Sequence, residues 1–371
     1  MTVELRTTAM AHGGRAVARL DGEVFFVADA YPGELVVADV TEQKKRHGFA
    51  QTVTIVEASP DRQEAPCPHF GPCGGCQWQT ARYGAQAEWK REVVADQLRF
   101  LGKLPSPAVR PTMTPGLEFG YRNRMDFSLL HGRPAMHREE SHDLVEINTC
   151  LLLSGSLLHL FNTLPVKPLA ERVTLRAGVN TGETAVLFDD EQGVIHEVVA
   201  GQRFQITDRA FFQVNTPGAE TLVNLVGEIL APGSDDVLLD GYAGGGLFSA
   251  TVGAGCRQVV AVESDPVALS DLAANAAATA IKSRFERSRS LLPKRWDIAV
   301  VDPPRAGLGK EGVATVVAGR PRCIAYVSCD PASFARDAAL LSSAGYQLDW
   351  AQPVDMFPQT FHVEIVGAFR R

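Results

Sequence analysis

Short alternating apolar runs fill the first sixty residues. Val24 to Val27, Glu34 to Val40 and Thr52 to Val56 are β-branched stretches set off by Gly13-Gly14, Asp21-Gly22, Pro32-Gly33 and His47-Gly48. Alternation bounded by turn residues predicts strands. Several short ones at this spacing predict a small closed barrel of the OB type over residues 1–60. A polar, Pro-containing link from Ser59 to Pro66 follows, and the period then lengthens. Ala81, Ala85, Trp89, Val93 and Leu98 recur at helical spacing with Glu88, Lys90, Arg91 and Glu92 among them, which predicts an amphipathic helix over 80–101. Alternating runs return at Phe119 to Ser128, Val173 to Arg176 and Ala185 to Phe188, so residues 61–206 read as a central α+β domain.

From residue 207 the apolar runs become continuous and alternate with helical patterns. Val237 to Asp240, Val259 to Glu263, Ile298 to Asp302 and Tyr326 to Ser328 read as buried parallel strands, so 207–371 is expected to be an α/β, Rossmann-like domain. The first of these strands opens into Gly241-Tyr242-Ala243-Gly244-Gly245-Gly246, and the second ends in Glu263. A glycine turn after one strand and an acid at the end of the next hold a cofactor that contains a nucleoside. The turn lacks the G-x-G-x-x-G spacing that cradles a dinucleotide pyrophosphate.

Composition changes this picture in three places. A net charge of −7 argues against a general polyanion binder, yet between Arg82 and Arg138 ten Lys or Arg face five acids, a local surface suited to phosphate. The start carries no signal peptide pattern and no apolar run approaches about 18 residues, so no membrane contact and a cytoplasmic location are expected. Seven cysteines without a secretory signal argue for metal or catalysis over a disulfide framework. Cys67, Cys73 and Cys76 form a C-x5-C-x2-C array around Gly74-Gly75, and Cys150 is the one other cysteine before residue 207. Four thiolates suit tetrahedral zinc or a 4Fe-4S cluster. The spacing is neither a pair of CxxC knuckles nor the three-thiol array of radical enzymes, so the cluster is favoured, with zinc second. Cys256 and Cys323 read as core residues. Cys329, in Ser328-Cys329-Asp330-Pro331 at a strand end, is the candidate nucleophile.

These stretches carry a resemblance. Gly13 to Arg19, Asp21-Gly22, Val24 to Val27 and Pro32-Gly33-Glu34 resemble the TRAM domain, a small RNA-binding barrel, in which Lys44-Lys45-Arg46-His47 is the compact basic loop. Asp240 to Gly246 resembles the first motif of class I S-adenosylmethionine-dependent methyltransferases. Phe211 to Asn215, Asp302-Pro303-Pro304-Arg305, Ser328 to Pro331 and Asp355 to Glu364 then follow in the order that resembles the RNA (uracil-C5) methyltransferases. The resemblance is to members with a TRAM domain and an iron-sulfur cluster, and it covers nearly the whole chain.

The resemblance implies a monomer that methylates carbon 5 of one uridine in RNA, rRNA being favoured over tRNA, with S-adenosylmethionine as donor. It assigns Cys329 to attack on uracil carbon 6 and Glu364 to removal of the carbon 5 proton. Gln213 would contact cofactor or uracil. Tyr242, Gly244, Gly246 and Glu263 would hold the methionine and ribose parts, and Asp302 the junction of cofactor and base. Cys67, Cys73, Cys76 and Cys150 would ligate the cluster. Ala243 stands where the family commonly has Cys, and Leu247 where it has Asn. Glu286 is the candidate for the adenine amine. Two other readings remain: an amino-group methyltransferase, suggested by Asp302-Pro303-Pro304 but with Arg305 in place of an aromatic, and an RNA chaperone on an inactive methyltransferase fold.

Overall fold

A computed structural model describes residues 1–208 and 210–371. Five strands, β1 (Thr2–Met10), β2 (Ala16–Leu20), β3 (Glu23–Ala28), β4 (Leu35–Gln43) and β5 (His47–Glu57), close in the order β1-β2-β3-β5-β4. The expected barrel is therefore present. Period-2 alternation puts Leu5, Ala16, Ala18, Phe25, Val27, Val36, Ala38 and Ala50 inside it.

Helix α1 (Tyr83–Phe100) joins the barrel to the rest of the molecule. Trp89 stacks on Tyr31 with ring centroids 5.1 Å apart, and Val93 joins the barrel core. Val94 and Leu98, one position round the helix, pack into the core of the carboxy-terminal sheet. The predicted helix is thus correct, but its buried face is wider than expected and includes Gln86 and Lys90.

Strands β6 (Arg124–Leu130), β7 (Arg133–His137), β8 (Leu144–Glu146), β9 (Arg172–Ala177) and β10 (Thr184–Phe188) form a sheet in the order β10-β9-β6-β7-β8, and α2 (Gly155–Asn162) packs across it through Leu157 and Phe161. Only the second half of the alternating run at 119–128 is strand, because Gly120, Arg122 and Asn123 spend their amides on Leu151, Leu152 and Val214 carbonyls instead. The hairpin β11 (Val194–Val199) and β12 (Gln202–Thr207) leans on the carboxy-terminal sheet, where its Ile195, Phe204 and Ile206 join the core.

The carboxy-terminal unit runs α3 (Thr216–Leu230), β13 (Val237–Gly241), α4 (Leu247–Ala250), β14 (Gln258–Glu263), α5 (Pro266–Asn275), β15 (Thr279–Lys282), β16 (Ile298–Val301), α6 (Gly309–Val316), β17 (Cys323–Ser328), α7 (Pro331–Ser343), β18 (Gln347–Val354) and β19 (Glu364–Arg370). The sheet order is β15-β14-β13-β16-β17-β19-β18, with β19 antiparallel to both neighbours. Strand order reverses between β13 and β16, so a crevice opens at their carboxyl ends. An antiparallel β19 begins at that same edge of the sheet, which brings its first residue, Glu364, to the crevice. No helix among the described residues is long and apolar enough to cross a membrane.

Candidate functional site

A cavity of about 840 Å³ occupies the crevice, within the range of small-molecule sites. Gln213, Tyr242, Gly244, Glu263, Asp302, Cys329 and Glu364, all singled out from the sequence, line it. Gly246 stands just behind, in a left-handed conformation (φ 89°) that starts α4, where a Cβ would press on Leu272.

One end of the cavity is built for a nucleoside. Glu263, at the tip of β14, accepts the Gly244 amide at 2.9 Å and the Asp265 amide at 2.8 Å, so its carboxylate is fixed at the glycine turn. Tyr242 packs on Phe285 with ring centroids 5.0 Å apart, and its hydroxyl donates to Glu286 at 2.8 Å. Glu286, the candidate for the adenine amine, lines the cavity with its carboxylate engaged by Tyr242. Asp240 lies beneath the turn, donated to by the Ser249 hydroxyl at 2.6 Å, and burial raises its carboxyl to about 7. These residues fit the adenosine part of S-adenosylmethionine: an acid for ribose hydroxyls, and apolar Val262, Ala268 and Phe285 for the base.

The other end holds the reactive groups. Ser328 pairs with Ile365 across β17 and β19, so Cys329, directly after β17, and Glu364, the first residue of β19, come to the same end of the strands, where both line the cavity. Glu364 is 3% exposed. Burial, and then the neighbouring Asp302, raise its carboxyl well above the usual range. Burial raises Asp302 to about 7. Burial likewise lifts the Cys329 thiol to about 11, with the charges of Glu364 and Asp302 adding to the effect. The resting site thus favours a neutral thiol beside carboxyl groups that hold protons readily. Such groups are positioned to exchange a proton with a bound substrate at neutral pH.

Sequence reasoning missed what supports this site. The loop 355–362, which leads into Glu364, is held from several sides. Lys90 and Asp355 form an ion pair at 2.6 Å with both side chains fully buried, and the Lys90 ammonium also donates to the Phe357 carbonyl at 3.2 Å. Gln86 and Gln359 exchange two hydrogen bonds, at 3.0 and 3.1 Å, and Asn215 donates to the Met356 carbonyl. A signal for Lys90 existed: Gln86, Lys90 and Val94 recur at i, i+4, i+8 on one face of α1. The basic run at 82–138 is less available to phosphate than its count implies. Lys90 is buried, and Arg91, Arg99, Arg110, Arg124 and Arg133 each pair with a carboxylate. Arg122 and the 66%-exposed Phe211, by contrast, face the cavity.

Cys67, Cys73, Cys76 and Cys150 line a second, smaller cavity walled by Phe70, Met125, Met136 and Ile147. Among the described residues no three His, Cys, Asp or Glu side chains gather closely enough to hold a metal ion. A Cβ on Gly75 would come within 3.4 Å of the Cys73 sulfur, and one on Gly74 would collide with the Glu139 backbone. Four thiols are donors of the kind that zinc or an iron-sulfur cluster takes. Cys323 is buried in the sheet core, as expected.

Comparison with known proteins bears on the whole chain. Residues 184–370 match the family described as tRNA (Uracil-5-)-methyltransferase. A relative from Gloeobacter violaceus, described as an uncharacterized RNA methyltransferase, is 35% identical over 100% of this chain and 96% of its own length. Another so described, from Halalkalibacterium halodurans, is 30% identical over 98% and 96%. The crystal structure of Pyrococcus abyssi tRNA (uracil-54, C5)-methyltransferase in complex with S-adenosyl-L-homocysteine shares the fold over 100% of both chains, with a TM-score of 0.77 at 24% identity. The sheet order and antiparallel last strand are accordingly those of a class I S-adenosylmethionine-dependent methyltransferase. Since the matched stretch contains every strand that lines the crevice, the chain belongs to the tRNA (uracil-5-)-methyltransferase family.

Proposed function

We propose that this RNA methyltransferase modifies carbon 5 of a single uridine through a covalent bond between Cys329 and uracil carbon 6. The observation that carries the reading is the placing of Cys329 and Glu364 at the same end of β17 and β19, in the cavity that also holds Glu263 and Tyr242. Carbon 5 of uracil is a weak nucleophile. The Cys329 thiol gives up its proton to solvent as its sulfur adds to carbon 6, which pushes electrons into the ring and makes carbon 5 reactive. S-adenosylmethionine, when bound, supplies the electrophilic methyl group. Glu364, in its carboxylate form, then takes the proton from carbon 5, which its raised affinity for a proton favours, and the electrons of that bond expel the Cys329 sulfur from carbon 6. Asp302, which lines the same cavity, hydrogen-bonds at the junction of donor and base and so orients the uracil. Gln213 contacts the uracil edge, while Tyr242, Gly244, Gly246 and Glu263 hold the donor. The faces of the uracil must be open to thiol and methyl, so the nucleotide enters flipped out of its stack.

The resemblance to members with a TRAM domain and an iron-sulfur cluster favours rRNA as the substrate. The matched family description and the Pyrococcus abyssi enzyme favour tRNA as a second reading. Mapping 5-methyluridine by mass spectrometry in rRNA and tRNA from cells with and without the gene separates them. Methylation of an exocyclic amine has no need of the Cys329 and Glu364 pair, and a chaperone has no need of the donor site. Cys67, Cys73, Cys76 and Cys150 are the residues that would hold a 4Fe-4S cluster. Its contribution there would be to fasten the 67–76 loop to Cys150 near Arg122.

A further inference from the structure

The segment that follows β15, at the edge of the carboxy-terminal sheet, carries a run of charge that the chemistry at Cys329 does not use. Between Lys282 and Arg295 stand six cations, Lys282, Arg284, Arg287, Arg289, Lys294 and Arg295, against one acid, Glu286, in a chain whose net charge is −7. All six cations are exposed. Glu286 is already engaged by the Tyr242 hydroxyl at 2.8 Å and lies 3.8 Å from Arg284. Among the described residues no carboxylate pairs with the other five. The basic run at 82–138, by contrast, has most of its cations in ion pairs.

A run of cations is often no more than a solvated surface. Two features set this one apart. It is rigid: the Arg287 amide donates to the Arg284 carbonyl at 3.0 Å, Ser288 to Phe285 at 3.1 Å and Leu291 to Ser288 at 2.7 Å, so successive turns gather the cations into a knob. Buried Phe285 and Trp296 anchor it to the domain, and the Trp296 indole donates to the Val316 carbonyl at 3.2 Å. It also borders the site, since Ser283, Arg284, Phe285 and Glu286 line the cavity at its donor end. The barrel reaches the reactive end, where His12 lies 3.1 Å from Asp330. Knob and barrel thus flank one cavity.

The side chains decide the partner. Unpaired cations on a fixed frame attract phosphates. The run turns no aromatic outward to stack unpaired bases, because Phe285 and Trp296 are both buried in the sheet core. Leu291, 58% exposed, is its one exposed large hydrophobic residue, too little for the apolar centre of a protein interface. We infer that the knob from Lys282 to Arg295 binds the phosphate backbone of a base-paired RNA stem adjoining the target uridine. The inference rests on the RNA uridine reading above, and it adds a contact surface on the catalytic domain for the part of the substrate that stays outside the cavity.

The test uses the full chain and a fluorescein-labelled RNA hairpin with a uridine-containing loop, alongside a single-stranded RNA of the same length. One variant combines Arg287→Gln, Arg289→Gln, Lys294→Gln and Arg295→Gln, and leaves Lys282 and Arg284, nearest the cavity, in place. At about 0.1 M salt it is expected to bind the hairpin about tenfold or more weakly, and its plot of log affinity against log salt should be shallower by about two or more, since each phosphate contact contributes roughly 0.7–0.9 to that slope. The single strand should lose distinctly less. Melting temperature and S-adenosylmethionine affinity should equal those of the parent, which shows that the fold and the donor site are intact. Unchanged hairpin affinity and slope overturn the inference, as does an equal loss for the single strand. Failure of the uridine reading looks different: the hairpin result holds, and no RNA tested acquires 5-methyluridine.

Discussion

His12 Nε2, in the loop between β1 and β2 of the barrel, lies 3.1 Å from Asp330 Oδ2, immediately after Cys329. Asp330 also caps α7, accepting the Ser333 amide at 2.7 Å. Burial opposes its ionisation, but the hydrogen bonds from His12 and Ser333 prevail and hold the carboxyl down at about 2. A second contact seals the junction: Gly14 packs so closely on Phe361 that a Cβ would lie 2.7 Å from the ring. The barrel is thereby fixed against both segments that carry reactive groups.

Asp330→Asn keeps a helix cap, since Asn caps as well as Asp, and loses the charge that His12 meets. We expect little change in melting temperature and a several-fold fall in kcat. His12→Ala should cause a similar fall, and the double variant should be little worse than either. Residues in direct contact couple by roughly 0.5–3 kcal/mol. Additive losses in a double-mutant cycle of single-turnover rates would show that the pair does not act as a unit.

Lys90 and Asp355 are buried together as an ion pair. Burial lowers the Lys90 ammonium, and only Asp355 opposes that. Lys90→Met leaves a buried carboxylate without a counter-charge, an effect of about 3–5 kcal/mol. The expected result is a clear drop in melting temperature, with much of it restored by adding Asp355→Asn.

Asp302 gives a pH signature. Its carboxyl is about 7 in the folded protein against roughly 3.9 unfolded. The folded state therefore binds more protons between these values, so the stability tied to this group is present below about pH 4 and is lost as pH rises through 7. Asp302→Asn should be thermally more stable than the parent at pH 8, and the gap should shrink towards pH 4.5. Methyl transfer should move the opposite way in the parent. With the thiol at about 11, single-turnover rates are expected to climb from pH 6 to 9.

The four-cysteine cavity predicts colour and stoichiometry. Anaerobically purified protein should contain iron and sulfide in about equal amounts, near four of each per chain. Cys150→Ser should lower both. One zinc and no iron would replace the cluster with the second candidate.

Much of the fold was legible because its signals are local. Strand alternation marked the barrel, continuous apolar runs marked β13, β14, β16 and β17, and the acid ending β14 marked the donor end of the cavity. Cys329 and Glu364 were named through motif order, but their arrival at the same end of the strands was not readable: it depends on β19 running antiparallel beside β17, a long-range pairing that no period reveals. Lys90 and Arg91 look alike in sequence. One is buried against Asp355 and the other pairs with Glu88 at the surface, and only the angle around α1 separates them. The charge on Asp330 has a partner that its own motif does not reveal: His12, more than three hundred residues away in the chain.

The proposed bond from Cys329 to uracil is the centre of the account, and 5-fluorouridine tests it most directly. Fluorine at carbon 5 cannot leave as a proton, so elimination stalls after methyl transfer and the sulfur remains attached. The parent enzyme, incubated with S-adenosylmethionine and RNA containing 5-fluorouridine at the mapped site, should give a denaturation-resistant complex. Peptide mass spectrometry should place the methylated nucleotide on Cys329, and Cys329→Ala should give none. Methylation of ordinary RNA by Cys329→Ala, or an adduct on another residue, would contradict the account.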